Sequence, residues 1–427
     1  MDTIFALATA QGRAGVAVIR ISGPSAFDVT HQLVGDIPPP RLASLRKVRD
    51  ADGTVMDEAL VLAFSGPASF TGEDVVELHL HGSPAINRAV LHRLSALDAR
   101  LAEPGEFTRR ALENDKMDLL QVEALGDLIS AETEAQRRQA MRGYDGAFTA
   151  RIDGWRMDLI RAAALIEATI DFADEDVPVD VSPEVSQLLQ GVQQGIQADL
   201  SGFAAAERVR IGFEVAIVGP PNAGKSTLLN ALARRDAAIT SQHAGTTRDV
   251  IEVQMDLGGV AVTLLDTAGL RDTDDEVEAE GVARAMSRAQ AADIRVFLAE
   301  QSEPLPLSPL PDDIVLAPKA DLRTDGAPSI SGTTGEGVQN LVERLSATLS
   351  DRASGAGLAT QERHRVALQS AIEDLSAAME KVEKGPDLYD IAAEDIRTAT
   401  RVLAILIGRV DVEHLLDEVF SSFCLGK

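Results

Sequence analysis

The chain contains a single cysteine, a single tryptophan and two tyrosines among its 427 residues. One thiol excludes an intrachain disulfide framework and any metal site built from several cysteines. Long apolar runs are also missing. No stretch approaches the roughly 18 residues of a membrane span, and the opening Met1-Asp-Thr-Ile4 lacks the basic segment of a secretory leader. A cytoplasmic protein with no membrane partner is expected. Positive charge is the third shortage: 40 Lys and Arg face 67 Asp and Glu, a formal net charge of −27. That argues against broad electrostatic attachment to nucleic acid or anionic membrane. An RNA substrate would need a local basic patch or a partner protein to hold it. A solubility or salt adaptation accounts for the acidity more simply.

What the chain does have is apolar residues, 45% of the total, so it is globular rather than disordered. Its length suits about three domains. Residues 1–117 read as a mixed α/β unit, with strands expected over Gly15–Ile21, Val55–Phe64 and Asp74–His81 and helices over Ser25–Leu33 and Pro84–Leu97. Strict alternation in the last strand puts Glu77, His79 and His81 on one face. Two histidines and a carboxylate raise a metal site, but a solvated or ligand-facing strand surface is the simpler reading, since no second His or Cys cluster supports a metal.

From 118 to 210 the apolar period becomes helical. Leu159, Ala163, Ile166 and Ile170 form one stripe, and Val185, Leu189, Val192, Ile196, Leu200 and Phe203 another. Ser182-Pro183 reads as a helix start with the hydroxyl as cap. Asp171-Phe-Ala-Asp-Glu-Asp176 between the stripes is an acidic connection without the glycine and spacing of a calcium loop. Residues 211–345 carry nucleotide motifs. Helical pattern resumes at 346–427, with Leu368, Ile372, Leu375, Met379 and Val382 as a stripe and a second helix running through Ile407. The expected fold is therefore α/β plus all-α: an N-terminal α/β domain, one helical domain made of two distant segments, and a Ras-like P-loop domain inserted between them.

The chemistry centres on Gly219-Pro-Pro-Asn-Ala-Gly-Lys-Ser226, which fits G-x-x-x-x-G-K-[ST]. The glycines let backbone N–H groups converge on phosphate oxygens, Lys225 neutralises the β and γ charge, and Ser226 offers a hydroxyl to Mg²⁺. Buried-strand residues Val215–Val218 precede the loop, and a helix beginning near Thr227 follows it. Further motifs lie at the spacing of a small GTPase. Gly245-Thr-Thr-Arg-Asp249 stands where a threonine completes the Mg²⁺ shell. Asp266-Thr-Ala-Gly269 follows a strand, with Asp266 near the metal and the Gly269 amide near the γ-phosphate. Lys319-Ala-Asp321 is placed to contact the base, Asp321 accepting two guanine hydrogen bonds, and Ser331-Gly-Thr-Thr-Gly-Glu-Gly337 is the last base loop. The usual base-motif asparagine is Pro318 here, so GTP is expected, with a looser purine preference as the alternative. Leu270 stands where Ras-like enzymes carry their water-orienting glutamine. An apolar side chain cannot polarise water, so hydrolysis needs another route, and Asp272, Asp274, Asp275, Glu276 and Glu278 are the nearby acids.

With Phe70-Thr-Gly-Glu-Asp74, Pro104-Gly-Glu-Phe107, Asn114-Asp-Lys-Met-Asp-Leu119, Ile170-Asp-Phe-Ala-Asp-Glu175 and the terminal Phe423-Cys-Leu-Gly-Lys427, the chain resembles the MnmE (TrmE) family over essentially its whole length. The resemblance implies a folate-binding, dimerising domain at 1–117, a helical domain at 118–210 and 346–427, and the G domain at 211–345. It implies a homodimer that joins an MnmG-like partner in a heterotetramer, FAD being carried only by the partner. The implied reaction is addition of aminomethyl or carboxymethylaminomethyl groups to C5 of the tRNA wobble uridine, the one-carbon donor being a 5-formyl or methylene tetrahydrofolate derivative.

The resemblance also implies a GTP site formed by Asn222, Ala223, Gly224, Lys225, Ser226 and Thr227, the loop Ser241, Gln242, His243, Ala244, Gly245, Thr246 and Thr247, then Asp266, Thr267, Ala268 and Gly269, and finally Lys319, Asp321, Ser331, Gly332 and Thr333. Mg²⁺ falls to Ser226 and Thr247, and K⁺ to Asn222, Ser241, His243 and Thr246. Glu278 matches the catalytic glutamate, acting on the attacking water through a second water. Folate falls to Arg20, Glu77, Lys116 and Lys427, a carboxylate for the pterin edge and cations for the glutamyl tail. Cys424, the only thiol, packs near folate or attacks uridine C6; nothing near it in sequence lowers its pKa. Two other readings compete: a ribosome-assembly GTPase, which would usually append a basic RNA-binding module, and a folate-dependent enzyme whose G domain is only regulatory.

Overall fold

In the computed structural model the described residues are 2–171, 180–234, 252–266, 286–300, 304–410, 419–420, 423 and 426. They divide into two compact units, Met1–Gly126 with Ala404–Lys427, and Asp127–Leu403.

The first unit is built on a six-stranded sheet in the order β3-β4-β5-β2-β1-β6. The strands are β1 (Ile4–Leu7), β2 (Val16–Ser22), β3 (Ser44–Arg49), β4 (Val55–Phe64), β5 (Val75–His81) and β6 (Arg100–Leu101). All neighbours are antiparallel except the β1–β6 pair. Period-two alternation sends Ile19 and Ile21, Val61 and Ala63, and Val76, Leu78 and Leu80 to one side. There α1 (Ala26–Val34) and α2 (Pro84–Ser95) cover them with Val29, Leu33, Val90 and Leu94. Burying such side chains stabilises the unit by roughly 1.5–3 kcal/mol each before entropy is counted. The opposite face of β2 and β5 therefore stays free to carry Arg20, Glu77 and His79. Beyond the sheet come α3 (Glu106–Glu113) and α4 (Leu119–Ser130). From the distant terminus, Phe420 packs against Gly105, where a Cβ would come within 2.8 Å of its ring.

The second unit holds the helices and the second sheet. α5 (Glu134–Tyr144), α6 (Ala147–Asp171), α7 (Ser182–Ser201) and α8 (Phe203–Ile211) precede that sheet. α10 (Val338–Ser354), α11 (Glu362–Lys384) and α12 (Tyr389–Leu406) follow it. Along α7 the expected stripe is buried at Val185, Leu189, Val192 and Ile196, then Asp199 takes the inward place that Leu200 was expected to fill. Asp199 is tied there by Arg151 at 2.7 Å. On α11 the inward residues include Ala371 and Ala378 rather than Ile372 and Met379. α7 and α11 pack on each other, and small side chains let helix axes approach closely. Ile170 is exposed rather than buried. The Ser182 hydroxyl caps nothing: the helix begins after Val181, and Ser182 Oγ donates to Asp180 Oδ1 at 2.6 Å. Residues 172–176 of the acidic connection lie outside the described residues.

The second sheet is also six-stranded, in the order β12-β11-β10-β7-β9-β8. Its members are β7 (Phe213–Val218), β8 (Glu252–Leu257), β9 (Val260–Asp266), β10 (Ile294–Leu298), β11 (Ile314–Pro318) and β12 (Ser329–Ile330). All pairs are parallel except β8–β9. The parallel strands are largely buried and apolar, as crossover helices require, interrupted by Glu214 in β7 and by Arg295 in β10, which is buried against Asp313. The segment leaving this sheet domain returns beside the one entering it. Gly357 N–H donates to the Gly202 carbonyl at 3.1 Å, and a Cβ on Gly202 would lie 2.6 Å from Gly357 N. Only glycine allows the two backbones to touch there.

Candidate functional site

Every nucleotide motif that can be placed follows the carboxyl end of a parallel strand of the second sheet: Gly219 after β7, Asp266 ending β9, Lys319 after β11 and Ser331 after β12. In open α/β sheets that edge is where ligands bind. The phosphate loop is shaped by two departures from ordinary backbone. Asn222 has φ 63° and Gly224 φ 89°, after which α9 (Lys225–Ala233) begins and aims its free N–H groups back at the loop. Gly219 has no room for a side chain, since a Cβ would stand 2.5 Å from the Leu298 carbonyl of β10.

Lys225 is only 6% exposed. Its ammonium donates to the carbonyls of Gly219 at 2.8 Å and Pro220 at 3.0 Å. Burial pushes its pKa below the ordinary lysine value, and the Asp266 carboxylate offsets part of that. Asp266 is 3% exposed, and neither of its carboxylate oxygens has a hydrogen-bond partner among the described residues. An unpaired buried carboxylate is costly, and such an orphan at this edge of the sheet fits a metal cation. Ser226 is half-buried and Thr227 exposed at the start of α9.

The motifs expected to meet the base sit further along the same edge. Lys319 has φ 60° and is exposed, leading into a 3-10 turn, Ala320–Leu322, that carries the exposed Asp321. Pro318 ends β11 in register with Ile330 of β12. Ser331 is buried, and its Oγ accepts from the N–H groups of Thr333 and Thr334, each at 3.3 Å. Gly332 is pressed on the first turn of α9: a Cβ would lie 2.7 Å from Leu228 N. So the Ser331–Gly337 loop and the start of α9 form one packed piece. Ser241, Gln242, His243, Ala244, Gly245, Thr246 and Thr247, together with Thr267, Ala268, Gly269, Leu270 and Glu278, lie outside the described residues.

The first unit gathers a second constellation. Arg20 and Glu77 are register partners on β2 and β5. Arg20 Nη2 meets Glu77 Oε1 at 3.0 Å, and His79 Nε2 stands 3.4 Å from Glu77 Oε2. The guanidinium lies 5.1 Å from the Phe70 ring centre and 5.7 Å from that of Phe107, within the range of cation–π attraction. Lys116 is exposed, its Cε 3.0 Å from where a Cβ on Gly72 would be. Arg20, Glu77 and the Phe70 loop that meets Lys116 are thus brought together, while Lys427 and Cys424 lie outside the described residues. His81 turns away from this group, its Nδ1 2.8 Å from Asp57 Oδ1. Among the described residues no group of three His, Cys, Asp or Glu side chains is placed to hold a metal.

What holds the Phe70 loop was not assigned from the sequence. Arg110, 4% exposed, reaches Glu73 at 3.2 Å, Glu106 at 2.9 Å and Asp2 at 2.9 Å. Ser22 Oγ contacts both Thr71 Oγ1 and Glu73 Oε2 at 2.7 Å, and Asn114 Nδ2 donates to the Thr71 carbonyl at 2.7 Å. The signal was present in the motifs Phe70-Thr-Gly-Glu-Asp74 and Pro104-Gly-Glu-Phe107, which supply Thr71, Glu73 and Glu106.

The second sheet and its edge define a P-loop GTPase domain set among helices, in a chain that also carries an α/β domain. Two family models cover nearly all of it: GTP-binding protein TrmE N-terminus over residues 3–116, and MnmE helical domain over residues 119–424. A protein of Roseobacter denitrificans named tRNA modification GTPase MnmE is 61% identical over 428 residues, covering 100% of both chains. One of the same name from Ruegeria pomeroyi is 60% identical, again over 100% of both. The chain belongs to the MnmE (TrmE) family of tRNA modification GTPases.

Proposed function

We propose that this chain is a potassium-activated GTPase that works in the cytoplasm with an MnmG-like, FAD-carrying partner. Together they add aminomethyl or carboxymethylaminomethyl groups to C5 of the wobble uridine in tRNA, and pairing of two G domains in a homodimer drives GTP hydrolysis. The observation that carries the GTP part is the buried pair at the sheet edge, Lys225 turned onto its own loop and Asp266 with no hydrogen-bond partner among the described residues. Nucleotide phosphates would replace the Gly219 and Pro220 carbonyls as acceptors for Lys225. Ser226 and Thr247, with Asp266 behind them, would hold Mg²⁺, which neutralises charge on the β- and γ-phosphates. K⁺, held by Asn222, Ser241, His243 and Thr246, would do at the β–γ bridge the electrostatic work that an arginine finger does elsewhere. Glu278 would orient the attacking water through a second water, filling the role for which Leu270 is unfit. Gln242, Ala244, Gly245, Thr267, Ala268 and Gly269 would line the phosphates, and Lys319, Asp321, Ser331, Gly332 and Thr333 the base.

In the first domain, Glu77 would pair with the pterin edge while Arg20, Lys116 and Lys427 take anionic groups. The folate derivative, 5-formyl or methylene, would supply the one-carbon unit. Support for this reading is the Arg20–Glu77 pair, half-buried beside Phe70 and Phe107, on the face of the sheet opposite α1 and α2. Among the described residues no helix is long and apolar enough to cross a membrane.

The test is wobble-uridine chemistry in a strain whose own gene for this activity is deleted. Restoration of the modified nucleoside by this chain is expected. Unmodified tRNA in the presence of the partner would refute the reading, and ribosome-subunit defects in its place would favour an assembly GTPase.

A further inference from the structure

The β8–β9 hairpin ends in the nucleotide site at one extremity and on a helix at the other. At the far tip, Gly258 and Gly259 turn with φ 65° and 88°, and Asp256 Oδ1 closes the turn by accepting the Gly259 N–H at 2.6 Å. The Gly259 carbonyl then accepts from Ala135 N–H at 2.9 Å. Ala135 is the second residue of α5, where a first-turn N–H has no acceptor within its own helix. The Ala135 side chain packs on the core of the nucleotide sheet that includes Met255, Leu257 and Val260. On the other side Ser346 of α10 closes the space: a Cβ on Gly258 would lie 2.1 Å from its Oγ.

The tip is therefore gripped between two helices, and what it grips is rigid. β8 and β9 pair from Leu257↔Val260 to Glu252↔Leu265, a rod of about 20 Å at ~3.3 Å per residue. At its other end Asp266 lies opposite Ile217 of β7. No hydrogen bond among the described residues holds the Asp266 carboxylate, and its backbone stands where β9, paired with β7 on one side and β8 on the other, puts it.

We infer that Ala135 and the Gly258–Gly259 turn are positioning residues for the nucleotide site: their contact anchors the far tip of the β8–β9 hairpin and, together with the β7–β9 ladder, sets where Asp266 stands. This rests on Asp266 backing the Mg²⁺ of bound GTP, as proposed above. A ligand with a γ-phosphate then feels the α5 contact more than GDP does, and by linkage α5 feels which nucleotide is bound.

Ala135→Pro tests it in the full chain. Proline is tolerated in a first helical turn, and it removes the donor while its ring displaces the Gly259 carbonyl. Affinity for Mg²⁺ and a non-hydrolysable GTP analogue should fall about tenfold, with GDP affinity kept within about twofold; that split equals ~1.4 kcal/mol. A merely structural contact would lower the melting temperature and move both affinities equally, which would overturn the inference. Hydrogen exchange in the unmutated chain needs no variant. The Ala135 amide should exchange more slowly with the analogue than with GDP, and equal protection would refute the coupling. If the unmutated chain bound neither nucleotide, the GTP reading itself would fall first.

Discussion

Arg20 and Glu77 face each other across β2 and β5 with Nη2 3.0 Å from Oε1, so the two charges proposed for folate already satisfy one another. A ligand must compete with that pair, and removing one member changes more than one contact. Glu77→Gln keeps the shape but loses the charge. Affinity for 5-formyltetrahydrofolate, measured by calorimetry, should drop at least about tenfold, the scale of a lost charge-assisted hydrogen bond. GDP affinity should stay unchanged. Undiminished folate binding would remove Glu77 from the site.

Asp266 offers an opposite pairing of stability and function. Among the described residues its carboxylate is buried with no hydrogen-bond partner, a state that costs free energy when no metal ion is present. Asp266→Asn should therefore melt higher than the parent without nucleotide or metal, by roughly 1 kcal/mol. The same variant should lose Mg²⁺-dependent affinity for a GTP analogue. A lower melting point in metal-free buffer would contradict this account of the site.

Acid should loosen the Phe70 loop through Glu106. Burial pushes its carboxyl up, but hydrogen bonds from Arg100, from the Glu103 backbone and from Arg110 outweigh burial and leave it below its ordinary 4.5. A carboxyl depressed in the fold contributes stability that is whole above the unfolded value and is lost as pH falls through the folded one. Unfolding free energy should thus decline as pH drops below about 4.5, and Glu106→Gln should flatten that part of the curve. Arg110→Met leaves the largely buried Glu73 without its cation, while Glu106 keeps Arg100, and should cost about 3 kcal/mol at neutral pH by urea titration.

Glu278→Ala carries the hydrolytic prediction. Potassium-stimulated GTP turnover should fall about a hundredfold or more, within the usual reach of general base catalysis, with nucleotide affinity intact. Parent-level rates in potassium would assign the water-orienting role elsewhere.

The parts most legible in the sequence were those with short-range rules. Gly219–Ser226 announces a phosphate loop because glycine positions and a lysine satisfy one local geometry, and the alternation in β5 foretold the face bearing Glu77 and His79. Helical stripes were read correctly where large side chains point inward, as at Val185 and Leu189, and missed where alanine does, as at Ala371 and Ala378. β1, β3 and β6 gave little signal, being short or, in Ser44–Arg49, largely charged and exposed. The Arg110 network escaped because it joins Asp2, Glu73 and Glu106, whose nearness depends on the sheet having formed. Gly332 stands in the loop expected to meet the base, and its close approach to Leu228 depends on a packing of strand and helix that no local pattern encodes.

The backbone contact between Gly202 and Gly357 means that the chain enters and leaves its GTPase module through a pinched neck. A segment with touching ends can be cut out and the gap bridged by a few residues, because the span is only several ångström. The helices on either side would not register its loss as a change in the distance they must cover. The architecture thus records how such a module can be gained or exchanged whole, as cargo threaded through a doorway one glycine wide on each side.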